Sequence, residues 1–298
     1  MSTLEVVWAT CAEVPDGDPD DRLALDALAE AGVDVRFQVW DDPAAGWSAP
    51  TVVRSTWDYA TRREEFLAWA RRVPVLWNPA HVLEWNTDKT YLDELAAAGV
   101  PVVPSATLGP QQRARVDAEV AAALEGAGSV VVKPTVSAGS RDTRRHSAAD
   151  GAVAHVHALL DAGRTVLVQP YLDAVDTAGE TGLVVLDGQV SHAFRKGQIL
   201  HADAAATDGL YAVEDIRASG ATPEQAALAD RVTRWLADRF PGAAPLLYAR
   251  VDTVPGPDGR PVLLELELTE PSLWLQARPE ATATWAQAVA RRLRTLPR

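Results

Sequence analysis

From Leu4 to Ala9 the chain is mostly apolar, then comes the acidic loop Asp16 to Asp21, and a helical spacing of Ala and Leu runs from Arg22 to Ala31 until Gly32 closes it. This pattern predicts strand, loop and helix in turn. Val33 to Trp40 and Thr51 to Arg54 predict two further strands and Arg62 to Val73 a helix. That βαβ order implies a parallel sheet, and in such sheets ligands sit beyond the carboxyl ends of the strands.

The pattern changes at Asn86, with a boundary expected near Glu84. Thr87-Asp88-Lys89 opens a predicted helix to Ala98, Gly99 ends it, and Val100 to Pro104 follows extended. Ser129 to Pro134 reads as a strand, Thr135 to Ser140 as a loop of small residues, Ala148 to Ala162 as a helix and Thr165 to Tyr171 as a strand. Gly182 to Leu186 and Gln189 to Arg195 flank Asp187-Gly188, a strong hairpin signal. Pro223 to Arg239 predicts a helix, Leu246 to Val254 and Pro261 to Leu268 two strands around Pro257-Asp258-Gly259, and Ala281 to Leu293 a final helix. The fold class is therefore α/β, with α+β character after the first lobe.

Composition narrows the function. With 298 residues and 47% hydrophobic content the chain can bury a sizeable core. Its single cysteine, Cys11, makes no internal disulfide, and neither a membrane-spanning run nor a signal-peptide pattern is found, so a cytoplasmic location is expected. A net charge of -13 argues against a nucleic-acid surface, which needs clustered Lys and Arg. Dinucleotide fingerprint, P-loop and paired-His zinc motif are missing, and Thr135 to Gly139 only nearly matches a hydrolase nucleophile elbow. Core packing is the expectation for Trp40, Trp47, Trp57, Trp77 and Trp85, with a substrate wall or a homo-oligomer surface as alternatives.

Several residue groups carry candidate chemistry. Arg54-Ser55-Thr56-Trp57-Asp58-Tyr59 leaves the third strand with a cation, an anion, hydroxyls and aromatics, either as a substrate pocket or as a loop in which Arg54 and Asp58 pair and Trp57 packs. Lys89 and Lys133 stand at element edges, where an ammonium could meet phosphate. Gln169-Pro170-Tyr171-Leu172 ends a strand whose backbone could pair with an adenine edge, and Asp176 or Glu180 could accept from ribose hydroxyls. The strongest signal is acidic. Asp252, Glu265 and Glu267 lie inside apolar strand runs, where carboxylates are costly unless paired or metal-bound. Residues two apart share a face, so Glu265 and Glu267 point together and the turn at Asp258-Gly259 can bring Asp252 opposite. Arg250 shares the Asp252 face, and Glu270 follows the strand. Hard oxygen ligands of this kind suit magnesium on nucleotide phosphates, while a solvent-facing sheet side with alternating Glu remains the plainer alternative.

In this order, Asn86-Thr87-Asp88-Lys89, Gly99 to Pro104, Val131-Val132-Lys133-Pro134, Gln169-Pro170-Tyr171-Leu172, Arg250-Val251-Asp252 and Glu265-Leu266-Glu267 resemble the ATP-grasp superfamily over nearly the whole chain. The resemblance implies lobes at 1–85, 86–170 and 171–298, two magnesium ions and ATP. Lys89 and Lys133 would grip phosphates, Ser137 to Ser140 with Gly139 would cover them, Tyr171 and Leu172 would hold adenine, and Lys196 would be a further phosphate lysine. Asp252 and Glu265 would hold the metals. Glu267 departs from the pattern, since it stands where the family usually has Asn.

Arg54 to Tyr59 and His192 to Lys196 further resemble a branch related to the ATP-binding portion of glutathione synthetase, which includes a cyclo-ligase that closes O-ureido-D-serine to the antibiotic D-cycloserine. The implied activity is carbon–nitrogen ligation: a carboxylate of a small amino-acid-like substrate becomes an acyl phosphate, and a nitrogen displaces phosphate, between molecules or within one. Lys133, Lys196 and Arg250 would counter the developing charge, and Arg54 and Asp58 would orient the substrate. A non-catalytic ATP-binding sensor or scaffold is the alternative.

Overall fold

In the computed structural model, which describes residues 4–197, 200 and 215–296, three sheets follow one another along the chain. The first is built from β1 (Leu4–Thr10), α1 (Pro19–Arg22), α2 (Leu25–Glu30), β2 (Val33–Val39), β3 (Thr51–Val53), α3 (Arg63–Ala70) and β4 (Leu76–Trp77). Its four strands pair in parallel in the order β2-β1-β3-β4, as the sequence pattern predicts. β1 is apolar on both faces because both are covered. Val6 and Trp8 join a core with Leu28 and Trp285, while Ala9 and Cys11 face Trp40, Phe66 and Trp69. The helix expected over 22–31 covers only Leu25–Glu30, and a separate short helix before it, Pro19–Arg22, carries the buried Asp20 and Asp21.

The second sheet follows α4 (Ala80–Asn86) and α5 (Tyr91–Ala97) and comprises β5 (Ala106–Leu108), β6 (Val130–Pro134), β7 (Arg144–His146) and β8 (Val166–Pro170), with α6 (Val116–Leu124) and α7 (Ala149–Asp161) packed on it. The order is β5-β8-β6-β7, and every pairing is antiparallel. The expected helix from Thr87 instead begins at Tyr91. The Asp88 carboxylate accepts the Thr90 N–H at 3.1 Å, a local bond that competes with helix, and Lys89 falls in the link.

The third sheet contains β9 (Glu180–Leu186) after the short α8 (Ala174–Ala178), then β10 (Gln189–Lys196), β11 (Ile216–Ser219), β12 (Tyr248–Pro255) and β13 (Pro261–Glu267), ordered β11-β10-β9-β12-β13 and antiparallel throughout. Asp187 and Gly188 both take positive φ, 49° and 80°, as a two-residue hairpin of that type requires. α9 (Pro223–Arg239) packs behind the sheet, and α10 (Ala281–Thr295) returns to the first sheet through Trp285.

Two asparagines latch the parts together. Asn78 donates to the carbonyls of Tyr248 and Leu268 at 2.8 and 2.7 Å and accepts from Leu247 N–H at 3.1 Å. Asn86 donates to Leu266 O at 2.8 Å and accepts from Leu268 N–H at 2.6 Å. Both fix β13 and the segment after it, whose carboxylates line the cleft described next.

Candidate active site

A cleft of about 410 Å³ lies between the second and third sheets, with residues that follow β1 and β3 of the first at its edge. From the second sheet it receives Lys133 at the end of β6, Lys89 from the α4–α5 link, and the loop Ser137 to Ser140. Lys89 Nζ donates to Ser137 O at 2.8 Å and lies 3.2 Å from Glu265 Oε1. Its own N–H bonds Thr135 O at 2.8 Å, so the link and the loop hold each other. Lys133 is buried, and that burial first, with Lys89 next to it, lowers its ammonium pKa, against the pull of Glu265 and Glu180.

The third sheet supplies the floor. The register places Asp252 opposite Glu265 and Arg250 opposite Glu267. Arg250 forks onto Asp252 through Nε and Nη2, at 2.9 and 2.8 Å, and also bonds Glu267. Lys196 reaches Glu180 at 2.7 Å and Asp252 at 3.1 Å. Burial alone would raise the Asp252 carboxyl, but Arg250 and Lys196 outweigh it and hold the group ionised well below the usual range. Glu265 is also lowered, Lys89 and Lys133 overcoming its burial. Glu270 goes the other way: burial, then Glu267, push it up to about 8. Cations and carboxylates alternate here, a pattern that suits a polyphosphate carrying its own cation.

Beside β8, Gln169, Tyr171 and Leu172 line the cleft. Gln169 Nε2 donates to Ser105 Oγ at 2.6 Å. Tyr171 N–H bonds Ser129 O at 2.9 Å, its ring lies 3.5 Å under the Arg145 guanidinium, and its hydroxyl donates to Asp176. Asp176, held there and by Arg145, does not line the cleft, whereas Glu180 does.

The loop after β3 divides. Trp57 and Tyr59 reach the cleft beside Glu270, and Trp57 Nε1 donates to Glu270 O at 3.3 Å. Arg54, Thr56 and Asp58, expected as substrate contacts, lie behind it. Arg54 is 2% exposed and pairs through Nε and Nη2 with Asp21 Oδ1, at 2.8 and 2.6 Å, not with Asp58. Asp58 accepts the Trp40 indole N–H at 2.9 Å and sits 3.9 Å from Arg62, and the Thr56 hydroxyl is fully buried. Of the other tryptophans, Trp40 and Trp47 pack against Trp69 as core, and Trp85 lies against Trp235.

Cleft residues that sequence reasoning passed over are Asp18, Asp20, Ser272, Trp274 and Gln276. The acidic loop 16–21 lies just past the carboxyl end of β1, where such sheets take ligands, and that position was the available signal. Trp274, at φ 52°, begins a 3-10 turn that no local sequence signal announces.

A nucleotide-sized cleft between an antiparallel lysine-bearing sheet and a carboxylate-bearing one is the arrangement of an ATP-grasp ligase, an enzyme that drives carbon–nitrogen bond formation with ATP. Residues 6–78 match the family model described as D-cycloserine synthetase DcsG, N-terminal domain. The chain is 38% identical over 285 residues to the cycloserine biosynthesis protein DcsG of Streptomyces lavendulae, covering 93% of this chain and 95% of that one. The crystal structure of D-cycloserine synthetase DcsG superposes with a TM-score of 0.88 at 36% identity, over 97% of this chain and 99% of that one. An ATP-grasp RimK domain protein from Sphaerobacter thermophilus gives 0.63 at 20% identity over 96% and 98% of the two chains, which is a likeness of fold. The chain belongs to the DcsG family of ATP-grasp ligases. The resemblance read from its motifs is thereby confirmed. Among the described residues no helix is long and apolar enough to cross a membrane.

Proposed function

We propose that this ligase closes an amino-acid-like substrate into a ring, as the name D-cycloserine synthetase describes for its relatives, and that it does so in the cytoplasm. The observation that carries this reading is family likeness over 93% of the chain, including the first lobe where substrate selection is expected. A substrate carboxylate oxygen attacks the γ-phosphorus of ATP and the bond to ADP breaks. A side-chain nitrogen of the same molecule, of ureido or aminooxy type, then attacks the acyl carbon. Phosphate leaves with the bonding pair, and the nitrogen's proton goes out with it or to solvent. Within the lobes 1–85, 86–170 and 171–298, the protein contributes position and charge.

In this reading Lys89 and Lys133 hold ATP phosphates, and Ser137 and Gly139 cover them against water. Gln169, Tyr171 and Leu172 frame the adenine. Glu180 is the better ribose acceptor, because it lines the cleft and Asp176 does not. Lys196 and Arg250 face the developing phosphoryl charge. Trp57, Tyr59 and Glu270 contact the substrate.

Asp252, Glu265 and Glu267 fit magnesium as hard oxygen donors, two of them opposed in register, and two ions are proposed. Each acid is held by a protein cation, and among the described residues no three ligating side chains form a ready cage, so nucleotide oxygens would complete the coordination. Magnesium, when bound, neutralises phosphate charge. A sensor or scaffold is the weaker reading, since the relatives are named as synthetases and ligases.

The test is release of ADP and phosphate from magnesium-ATP across O-ureido- and aminooxy-amino acids, with the organic product identified by mass. Substrate-dependent release with a cyclic product is expected. Release with only an intermolecular product would overturn ring closure.

A further inference from the structure

One edge of the cleft has no place in that mechanism. α1 and the residue before it bring Asp18, Pro19 and Asp20 to the wall, next to Gln276 and Trp274. Resting on the reading of an amino-acid substrate, we infer that Asp20, backed by Asp18, is the subsite that takes the α-ammonium, and so selects amino acids over plain carboxylic acids.

The hydrogen bonding of Asp20 shows an acceptor waiting for a donor. Its Oδ1 accepts the Gln276 N–H at 3.0 Å, while Oδ2 is buried with no hydrogen-bond partner among the described residues, in a side chain only 5% exposed. A buried carboxylate oxygen without a donor is costly, and Asp20 lines the cleft, from which a bound ligand would bring one.

The charge balance points the same way. Asp18, Asp20 and Asp21 crowd around one guanidinium, and Asp21 already occupies Arg54 with two bonds. Burial first, then Asp21 and Asp20, push the Asp18 carboxyl up to about 6, and burial raises Asp20 as well. One more cation would relieve both. An ammonium fits better than a metal ion because it brings N–H donors to an oxygen that lacks one.

The site is also joined to the reacting end. The segment after β13 is held at Ser272 O by Arg250 Nη1, at 3.2 Å, and at Gln276 N–H by Asp20. One short stretch of backbone thus runs from the phosphoryl-side cation to the proposed ammonium acceptor. Trp274 lines the wall between them, and its indole N–H is a second buried polar group without a partner among the described residues, a donor where Asp20 Oδ2 is an acceptor.

The test uses Asp20→Asn, which keeps an acceptor for Gln276 and removes the charge. ADP release is measured with O-ureido-serine and with its counterpart lacking the amino group, 3-(ureidooxy)propanoate. The variant is expected to raise KM for the amino substrate about 100-fold, leave KM for ATP and for the des-amino probe unchanged, and so lose the discrimination. Unchanged discrimination would overturn the inference, as would an equal loss on both probes together with ATP. If the wild type releases no ADP with O-ureido-serine, the ring-closing reading fails by itself. The subsite is then judged by calorimetric binding of D-serine in the presence of ATP. Weaker binding to Asp20→Asn supports it, and no binding or equal affinity overturns it.

Discussion

Arg250 on β12 stands directly opposite Glu267 on β13, and one guanidinium joins that carboxylate to Asp252 two residues along its own strand. Glu267 occupies a position where the wider family usually has Asn, so the departure gives Arg250 a second anion. The carboxyl is costly to keep charged: burial first, and then Asp252 and Glu265, raise it against the pull of Arg250.

Replacing Glu267 with Asn therefore trades a charge for an amide and leaves Arg250 on Asp252 alone. The magnesium concentration for half-maximal ADP release is expected to rise about 10-fold, the scale typical when the surroundings of a metal site are disturbed. A magnesium titration of wild type and variant at saturating ATP checks it, and an unchanged midpoint would remove Glu267 from the metal site.

Lys133 offers a separation of function from stability. Its ammonium is desolvated, while Glu265 keeps Lys89 at 3.2 Å if Lys133 is lost. Lys133→Met is expected to lower kcat/KM for ATP about 100- to 1000-fold, the scale for removing one group aimed at developing charge. The unfolding midpoint in urea should hold or rise, because a buried cation is replaced by an apolar chain of similar length. Parallel kinetics and denaturation decide it.

How far this site could be read in the sequence depended on how local each signal was. Asp252, Glu265 and Glu267 were legible because acids inside apolar strands stand out, and Asp187-Gly188 because a two-residue turn states its own geometry. Arg54 was misplaced because its partner, Asp21, lies 33 positions earlier and burial leaves no mark in a linear pattern. β7, spelled Arg144-Arg145-His146, and β4, of two residues, carry no strand periodicity and form only because a neighbouring strand pairs with them.

A pH effect on stability is expected from the second sheet. His155 Nδ1 and His146 Nε2 lie 3.0 Å apart, and burial first, then His146 and Arg144, lower the His155 pKa to about 4. The unfolded value is about 6.5, so the unfolded chain binds the proton more readily. The stabilisation is complete above about pH 6.5 and is lost as pH falls towards 4, by an amount on the order of 2 kcal/mol. Urea denaturation at steps between pH 7.5 and 4.5 should show this slope, and it should flatten in His155→Gln.

The buried pair of Arg54 and Asp21 makes the sharpest stability prediction. Both side chains are almost fully buried, Ser55 Oγ donates to the second Asp21 oxygen at 2.9 Å, and the guanidinium lies 5.6 Å from the Tyr248 ring and 5.8 Å from Trp285. It thus ties α1 to the third sheet and α10. Asp21→Asn leaves the guanidinium buried without its anion, and a loss of about 3 kcal/mol is expected, the scale for breaking such a pair from one side. Arg54→Met with Asp21→Leu removes both charges and both desolvation penalties, so the double variant should lose clearly less than the single variants Arg54→Met and Asp21→Leu summed. Urea denaturation of the wild type, Arg54→Met, Asp21→Leu and the double variant measures that coupling. Simple additivity would mean that Arg54 and Asp21 do not act as a unit, and that something other than their pairing keeps α1 against the cleft.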